Sequence, residues 1–135
     1  MEDQGMIEGS CLCGAVKFRL TAPPTMMGTC HCSRCRKAGA STMVFVKREA
    51  LEWLQGRDRV ALHTPPAPFK YGRCFCRDCG TGLGEILSEE ARFPIAADAL
   101  DDDPGLRNSF HEHVADKPAW REICDDAARS EAAPD

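Results

Sequence analysis

Apolar and polar residues alternate in the first clear stretch of this chain. In residues 15–20, AVKFRL, the apolar side chains Val16, Phe18 and Leu20 are separated by basic ones. A two-residue period puts one set of side chains on one face of an extended chain, and it is typical of a half-buried β-strand. Residues 15–20 are therefore predicted to form a strand with its apolar face in the core.

Other short apolar stretches predict further strands, separated by residues that favour turns. The segment 41–47 is nearly continuous in its apolar character, and strands are also predicted at 59–63, 69–73, 81–87, 92–96 and 110–114. Residues 49–54 fit either a helical turn or a strand. Because no segment combines a long helical period with capping residues, the predicted fold class is mainly β.

The composition gives this fold few large side chains for its core. Aromatic residues make up 7% of the 135 residues, so a single domain of this size gains from an added cross-link, and nine cysteines are available. The first ten residues lack the apolar region of a signal peptide, and no apolar run approaches the ~20 residues of a membrane span. We therefore expect a cytoplasmic protein, in which cysteines stay reduced and bind metal rather than form disulfides.

Eight of the nine cysteines fall into three short clusters, within residues 11–13, 30–35 and 74–79. A Cys-x-x-Cys turn presents two thiolates to one ion, and structural zinc takes four ligands in a tetrahedron. Gly14 and Gly80, which follow the last cysteine of their pairs, suit the unusual backbone angles of such turns. We predict one closed zinc site that closes a long loop of the chain, with the ligands Cys11, Cys13, Cys76 and Cys79.

The second predicted site has three ligands, Cys30, Cys32 and Cys35, and sulfurs within ~4 Å of one another. Three protein ligands and one open position are typical of catalytic zinc. Alternatively, Cys74 is the fourth ligand and closes this site. Alternation along a strand would put Cys74 and Cys76 on one face, about 7 Å apart, which places Cys74 nearer the first site and favours an open second one. Two Zn²⁺ per chain are expected.

The charge balance argues against nucleic acid as a partner. The formal net charge is −4, and adding −7 for seven bound thiolates and +4 for two Zn²⁺ gives −7. Nucleic-acid-binding proteins usually have the opposite balance. We expect neither a nucleic-acid nor a membrane partner, and the sequence leaves the oligomeric state open.

Four segments in this order resemble the glutathione-dependent formaldehyde-activating enzyme family, which also contains centromere protein V: GSCLCGAVKF, CHCSRCRKAGAS, FCRDCGTGL and HEHVADKPAW. The resemblance extends from Gly9 to about Trp120 and implies a β-rich zinc fold of the β-tent type, built of short antiparallel strands. It assigns the cysteines of the closed site to structural zinc, and Cys30, Cys32 and Cys35 to the catalytic zinc. The predicted boundaries are an N-terminal extension at 1–8, the zinc-binding domain at 9–124 and a disordered acidic tail at 125–135.

This chain departs from the family pattern at three positions. Cys74 and Cys124 are additional cysteines, and His113 occupies a position where a large apolar residue is more usual. His111 and His113 are predicted to share one strand face. His31, between two predicted ligands, fits either a packed histidine or an acid–base group.

The activity that the resemblance implies joins the glutathione thiol to formaldehyde, giving S-hydroxymethylglutathione, and makes the protein a carbon–sulfur lyase. Zinc at the three-cysteine site, Cys30, Cys32 and Cys35, would activate the thiol, since metal coordination ionises it. Glutathione carries two carboxylates, and the basic residues nearest the cysteine clusters are Arg34, Arg36, Lys37 and Arg73. Of these we predict Arg36 and Lys37 as substrate-binding residues. The alternative function is a non-catalytic zinc-binding module of the same fold that binds other proteins.

Overall fold

The computed structural model describes residues 6–132, and these contain eleven short β-strands and one α-helix, α1 (Ser33–Ala38). The mainly β prediction is confirmed. In chain order the strands are β1 (Ile7–Ser10), β2 (Lys17–Leu20), β3 (Met26–Cys30), β4 (Thr42–Lys47), β5 (Leu51–Gln55), β6 (Val60–His63), β7 (Arg73–Cys76), β8 (Gly82–Gly84), β9 (Arg92–Ala96), β10 (Asn108–Glu112) and β11 (Ala128–Arg129).

The strands form three sheets. Two are antiparallel and three-stranded, with the orders β1-β2-β5 and β6-β7-β8. The third has five strands in the order β11-β10-β3-β4-β9, in which β10 runs parallel to both β3 and β11. These two parallel pairs hold the C-terminal part of the chain against β3.

The core lies between the sheets and follows the predicted alternation. Val16, Phe18 and Leu20 are fully buried, and they pack with apolar side chains of the other two sheets, including Val44, Leu83, Phe93 and Ile95. Burying one such side chain stabilises the fold by about 1.5–3 kcal/mol. Since Phe18 and Phe93 are the only aromatic residues in this buried set among the described residues, aliphatic side chains supply most of the core.

Helical structure is limited to short segments. Residues 49–54, which fitted either a helical turn or a strand, contain both, because a 3₁₀ helix at Arg48–Ala50 leads directly into β5. The other 3₁₀ helices are Arg57–Arg59, Ala97–Ala99 and Val114–Asp116. Within residues 6–132, no helix combines the length and apolar character needed to cross a membrane.

One strand prediction needs correction, and one strand was missed. The strand expected at 69–73 lies instead at β7, because residues 73–76 pair with β6 and bury Cys74 and Cys76. The strand β3 was not predicted, since its sequence MMGTC shows no alternation. Its central Gly28 leaves room for the ring of Phe110, which would clash with a Cβ atom at that position.

The predicted terminal segments differ in part from the structure. Residues 1–5 of the predicted extension lie outside the described residues, and β1 begins at residue 7. The tail predicted as disordered, 125–135, is described as far as residue 132 and contains β11. The reason is that β10 offers a free strand edge, to which Ser130 donates a hydrogen bond at the His111 carbonyl, 2.9 Å. Residues 133–135 lie outside the described part.

Candidate metal centres and the adjoining cleft

Four cysteine sulfurs converge between two sheets and form what we call the first centre, Cys11, Cys13, Cys76 and Cys79, whose sulfurs all lie within 4.8 Å of one another. Cys13 Sγ is 3.7 Å from Cys11 Sγ and 3.8 Å from Cys76 Sγ. A tetrahedral ion with Zn–S bonds of about 2.3 Å separates its sulfurs by about 3.8 Å. A disulfide needs about 2.05 Å, so the spacing fits four thiolates around a metal ion.

Tight turns bring these sulfurs together. Gly14 and Gly80 have φ angles of 81° and 80°, as the Cys-Gly pairs predict, and only glycine adopts this conformation without strain. The Gly80 N–H donates to the Cys76 carbonyl at 2.7 Å, which closes the turn between two ligands. Backbone N–H groups also donate to sulfur, from Val16 to Cys11 Sγ at 3.3 Å. Such hydrogen bonds favour the ionised sulfur that a metal requires.

Thr81 connects the two halves of the first centre. Its hydroxyl oxygen accepts a hydrogen bond from the Leu12 N–H at 2.9 Å and lies 3.1 Å from Cys79 Sγ. Hydrogen bonds from the Thr81 hydroxyl and N–H lower the pKa of Cys79 to about 5. A hydrogen bond from the Ala15 backbone lowers the pKa of Cys13, but desolvation and the neighbouring sulfurs outweigh it and raise that pKa to about 12. The four sulfurs ionise together only when a cation offsets their repulsion, so this donor set fits a metal ion.

A second group, the second centre, contains Cys30, Cys32 and Cys35, with sulfurs within 4.8 Å of one another. Cys30 ends β3, and Cys32 is the N-cap of α1, where its sulfur accepts a hydrogen bond from the Cys35 N–H at 3.3 Å. The first turn of α1 thus brings Cys32 and Cys35 close to Cys30. The structure brings the three predicted ligands together.

Arg73 provides a positive charge beside the second centre. Its guanidinium donates a hydrogen bond to Cys35 Sγ at 3.2 Å. The Cys30 thiol and the Arg73 guanidinium lower the pKa of Cys35 to about 5, although burial opposes this. The hydrogen bond between the Cys30 and Cys35 sulfurs, together with burial, raises the pKa of Cys30. The second centre therefore also needs a cation before all its sulfurs ionise.

Two residues that sequence reasoning did not assign to the second centre lie beside it. A ligand atom of Glu112 and one of His113 lie within 4.8 Å of each other and of Cys30 Sγ. Their position was not evident from the sequence, because it depends on the parallel pairing of Glu112 with Cys30 and on the conformation of His113.

The predicted shared face of His111 and His113 is wrong, since the two imidazoles lie in different environments. His111 is buried, with Nδ1 2.9 Å from His31 Nε2 and Nε2 3.0 Å from an Asp125 carboxylate oxygen. If Asp125 accepts from His111, then His111 Nδ1 accepts from His31. This chain of hydrogen bonds joins the C-terminal segment to the sheet and fixes His31 as a packed side chain.

A cleft of about 630 Å³ adjoins α1 and β7. Its basic side chains are Arg34, Lys37 and Arg73, and its apolar ones include Met43, Leu62 and Phe75. Arg34 stacks over the ring of Phe69 at 3.9 Å. The size suits a small organic ligand, and the basic lining suits an anionic one. Arg73 both lines the cleft and contacts Cys35, so the cleft adjoins the second centre.

Comparison with known proteins identifies the family. The model of the family described as glutathione-dependent formaldehyde-activating enzyme matches residues 6–116. This chain belongs to that family. A protein of Halomonas elongata whose name assigns it to the same enzyme family is 31% identical over an alignment of 134 residues, covering 87% of this chain and 81% of that protein.

A solved structure gives a comparison at the level of the fold. The crystal structure of a Rhodobacter sphaeroides protein matches with a TM-score of 0.55 and 22% identity, over 71% of this chain and 89% of that one. At this identity the likeness shows the fold alone. The resemblance of the four sequence segments to the formaldehyde-activating enzyme family is confirmed by the family match and by the Halomonas relative.

The two residues predicted to bind substrate in this family member occupy different places. Lys37 lines the cleft, whereas Arg36 is absent from its lining. Lys37 lies about one helical turn after Arg34, which also lines the cleft, whereas Arg36 lies about 200° around the helix from Arg34. Arg36 Nε is instead buried without a hydrogen-bond partner among residues 6–132.

Cys74 belongs to neither sulfur group. It is buried at 3% exposure, pairs in register with Leu62 and Gly84 on the neighbouring strands and lies at the wall of the cleft. Burial raises the pKa of the Cys74 thiol, as expected for a sulfur that packs as an apolar group. The alternative in which Cys74 closes the second centre therefore finds no support in this arrangement.

We expect Cys74→Ala to retain both metal ions. The variant should lose about 1–2 kcal/mol of unfolding free energy, since it removes one buried sulfur and leaves a small cavity. Metal content by mass spectrometry and a denaturant titration measure the two effects. Loss of one metal ion per chain would show that Cys74 is a ligand.

Proposed function

We propose that this protein interconverts S-hydroxymethylglutathione with glutathione and formaldehyde at the second centre, as a zinc-dependent carbon–sulfur lyase. The observation that carries the proposal is the convergence of Cys30, Cys32 and Cys35 beside a basic cleft, in a chain of the formaldehyde-activating family. We also propose two Zn²⁺ per chain, one in each centre. Zinc in the second centre would supply an ionised substrate thiol at neutral pH.

The proposed reaction is balanced without an oxidant or a reductant. In the forward direction the thiol sulfur of glutathione forms a bond to the formaldehyde carbon. The carbonyl π bond breaks, and the thiol proton ends on the new hydroxyl oxygen. The reverse direction cleaves the same carbon–sulfur bond. Since the ligand thiols must stay reduced, we place the reaction in the cytoplasm.

The second centre and the cleft have separate roles in this proposal. The three cysteines hold the metal, and Arg73 donates its hydrogen bond to Cys35, which fixes the guanidinium at the boundary between the two. Lys37 and Arg34 supply positive charge for the carboxylates of glutathione. The three apolar side chains Met43, Leu62 and Phe75 cover the uncharged part of the tripeptide.

Exchange spectroscopy on an equilibrium mixture of glutathione and ¹³C-formaldehyde tests the proposed function. The zinc-loaded protein should raise the exchange rate between S-hydroxymethylglutathione and free formaldehyde in proportion to protein concentration, above the spontaneous rate. An exchange rate equal to that without protein would exclude catalysis and favour the alternative, a zinc-binding module that binds other proteins.

Replacing Lys37 by Gln should raise the KM for glutathione and leave kcat nearly unchanged. An exposed charge-assisted contact contributes about 1 kcal/mol, which corresponds to roughly a fivefold change in KM. Lys47→Gln, at an exposed lysine outside the cleft lining, is the matched control and should match the unmodified protein.

A thiol without carboxylates sharpens this test. With 2-mercaptoethanol in place of glutathione, Lys37→Gln should behave as the unmodified protein, because the lost charge has no carboxylate to bind. An equal loss with both thiols would mean that Lys37 supports the centre itself rather than the substrate.

A further inference from the structure

His113 leaves the strand β10 in a conformation that few side chains adopt. Its φ is 56° and its ψ is 39°, and it is the sole non-glycine residue with positive φ among residues 6–132. This left-handed conformation is unfavourable for a residue with a Cβ atom. It is fixed by the backbone, because the His113 N–H donates to the Ala132 carbonyl at 3.1 Å and its carbonyl accepts from the Asp116 N–H at 3.0 Å.

The consequence of this conformation is that two consecutive residues reach the same cysteine. In a regular strand, neighbouring side chains point to opposite faces of the sheet. Here a ligand atom of Glu112 and one of His113 both lie within 4.8 Å of Cys30 Sγ. The unusual backbone at His113 thus turns an imidazole toward the second centre. Strained residues of this kind concentrate at functional sites.

The surroundings of the imidazole suit a metal ligand. The His113 side chain is 33% exposed, and its Nδ1 lies 3.9 Å from an Asp116 carboxylate oxygen. Ligating histidines commonly have a carboxylate near one ring nitrogen, which orients the ring and leaves the other nitrogen for the metal. His113 thus has a carboxylate oxygen 3.9 Å from its Nδ1 and a cysteine sulfur within 4.8 Å of one of its ring nitrogens.

We propose that His113 is an exchangeable fourth ligand of the metal in the second centre, occupying the position that a substrate thiol takes. This inference rests on the proposed metal site and not on the formaldehyde chemistry. Three thiolates and one histidine form a common zinc ligand set. The His113 group includes Cys30 alone of the three sulfurs, so the imidazole must rotate about its side-chain bonds to reach a metal held by all three.

Glu112 is the competing candidate for the same position. Three thiolates and Zn²⁺ carry a net charge of about −1, and a carboxylate would make it about −2 in a half-buried site. A neutral imidazole leaves the charge unchanged. Sulfur-rich zinc sites also take nitrogen donors in preference to oxygen donors. These two arguments favour His113.

The test uses the cobalt(II)-substituted protein and reads the visible absorption of the second centre. The spectrum of Cys35→Ser, which reports the first centre, is subtracted. In His113→Gly, which suits the positive φ, the bands should shift and the metal affinity of this centre should fall about 10–100-fold. Added imidazole should restore both. His113→Asn, which tolerates this backbone but lacks the imidazole, should resemble His113→Gly, and Glu112→Gln should resemble the unmodified protein.

Glutathione provides a second readout. It should shift the cobalt absorption bands at a lower concentration in His113→Gly than in the unmodified protein, because no imidazole competes with its thiol for the metal. Unchanged bands and affinity in His113→Gly would overturn the inference, even if the protein catalyses the proposed reaction. A loss that imidazole does not restore would assign His113 a structural role, and a loss in Glu112→Gln alone would assign the position to the carboxylate. Absence of metal from the second centre of the unmodified protein would overturn the inference and the proposed metal site together.

Discussion

Cys79→Ser should release the metal of the first centre and abolish cooperative folding of the domain. The first centre joins the segment after β1 to the turn between β7 and β8, and these belong to different sheets. Structural zinc contributes an apparent free energy of about 10–16 kcal/mol, whereas a whole domain is stable by about 5–15 kcal/mol. The loss is therefore comparable with the total stability of the protein.

Metal content and thermal unfolding followed by circular dichroism measure this outcome. Cys124→Ser, at an exposed cysteine that belongs to neither centre, is the matched control and should keep both the metal content and the melting curve. Removal of metal from the unmodified protein with a chelator should reproduce the unfolding of Cys79→Ser. A Cys79→Ser protein with full metal content and an unchanged melting curve would contradict the role of the first centre.

The parts of the fold that the sequence predicted best are those governed by local chemistry. In three segments the order of apolar and polar side chains indicates a partly buried strand, and a strand is found in each: 15–20, 41–47 and 92–96. The Cys-Gly pairs at 13–14 and 79–80 predicted turns with positive φ, because few residues other than glycine adopt them.

The parts that sequence reasoning missed depend on partners distant along the chain. The strand β3 has little alternation of its own, and its place is set by pairing with β4 and β10. At six residues, α1 is too short to show a helical period. Arg73 reaches Cys35 across 38 positions of sequence, and no local pattern predicts such a contact.

His113 illustrates the same limit at a single residue. Sequence reasoning marked it as a departure from the family pattern but assigned it to the face of His111. Alternation along a regular strand predicts that residues 111 and 113 share a face. This prediction requires an extended backbone with negative φ at His113. The positive φ of His113 changes the direction of the side chain and brings it near Cys30. One backbone angle, set by contacts with residue 132, decides which environment the imidazole enters.

Cys35→Ser should remove the metal of the second centre and lower the catalytic rate while the domain stays folded. At pH 7 a thiol with a pKa near 8.5 is about 3% ionised, so loss of the charge that ionises the substrate thiol costs roughly 30-fold in kcat/KM. Loss of substrate positioning adds to this figure. The stability effect should be smaller than that of Cys79→Ser, because Cys30, Cys32 and Cys35 lie within six residues of sequence and close only a short loop.

Three measurements on one preparation separate these effects: zinc content, the melting temperature and the exchange rate between S-hydroxymethylglutathione and formaldehyde. Cys35→Ser should contain one zinc ion in place of two, melt within a few degrees of the unmodified protein and exchange at close to the spontaneous rate. Cys124→Ser should match the unmodified protein in all three. A Cys35→Ser protein that lost the metal but kept the full exchange rate would show that catalysis does not need the second centre. Unfolding on the scale of Cys79→Ser would instead make the second centre structural, because a site that only serves catalysis contributes little to holding the sheets together.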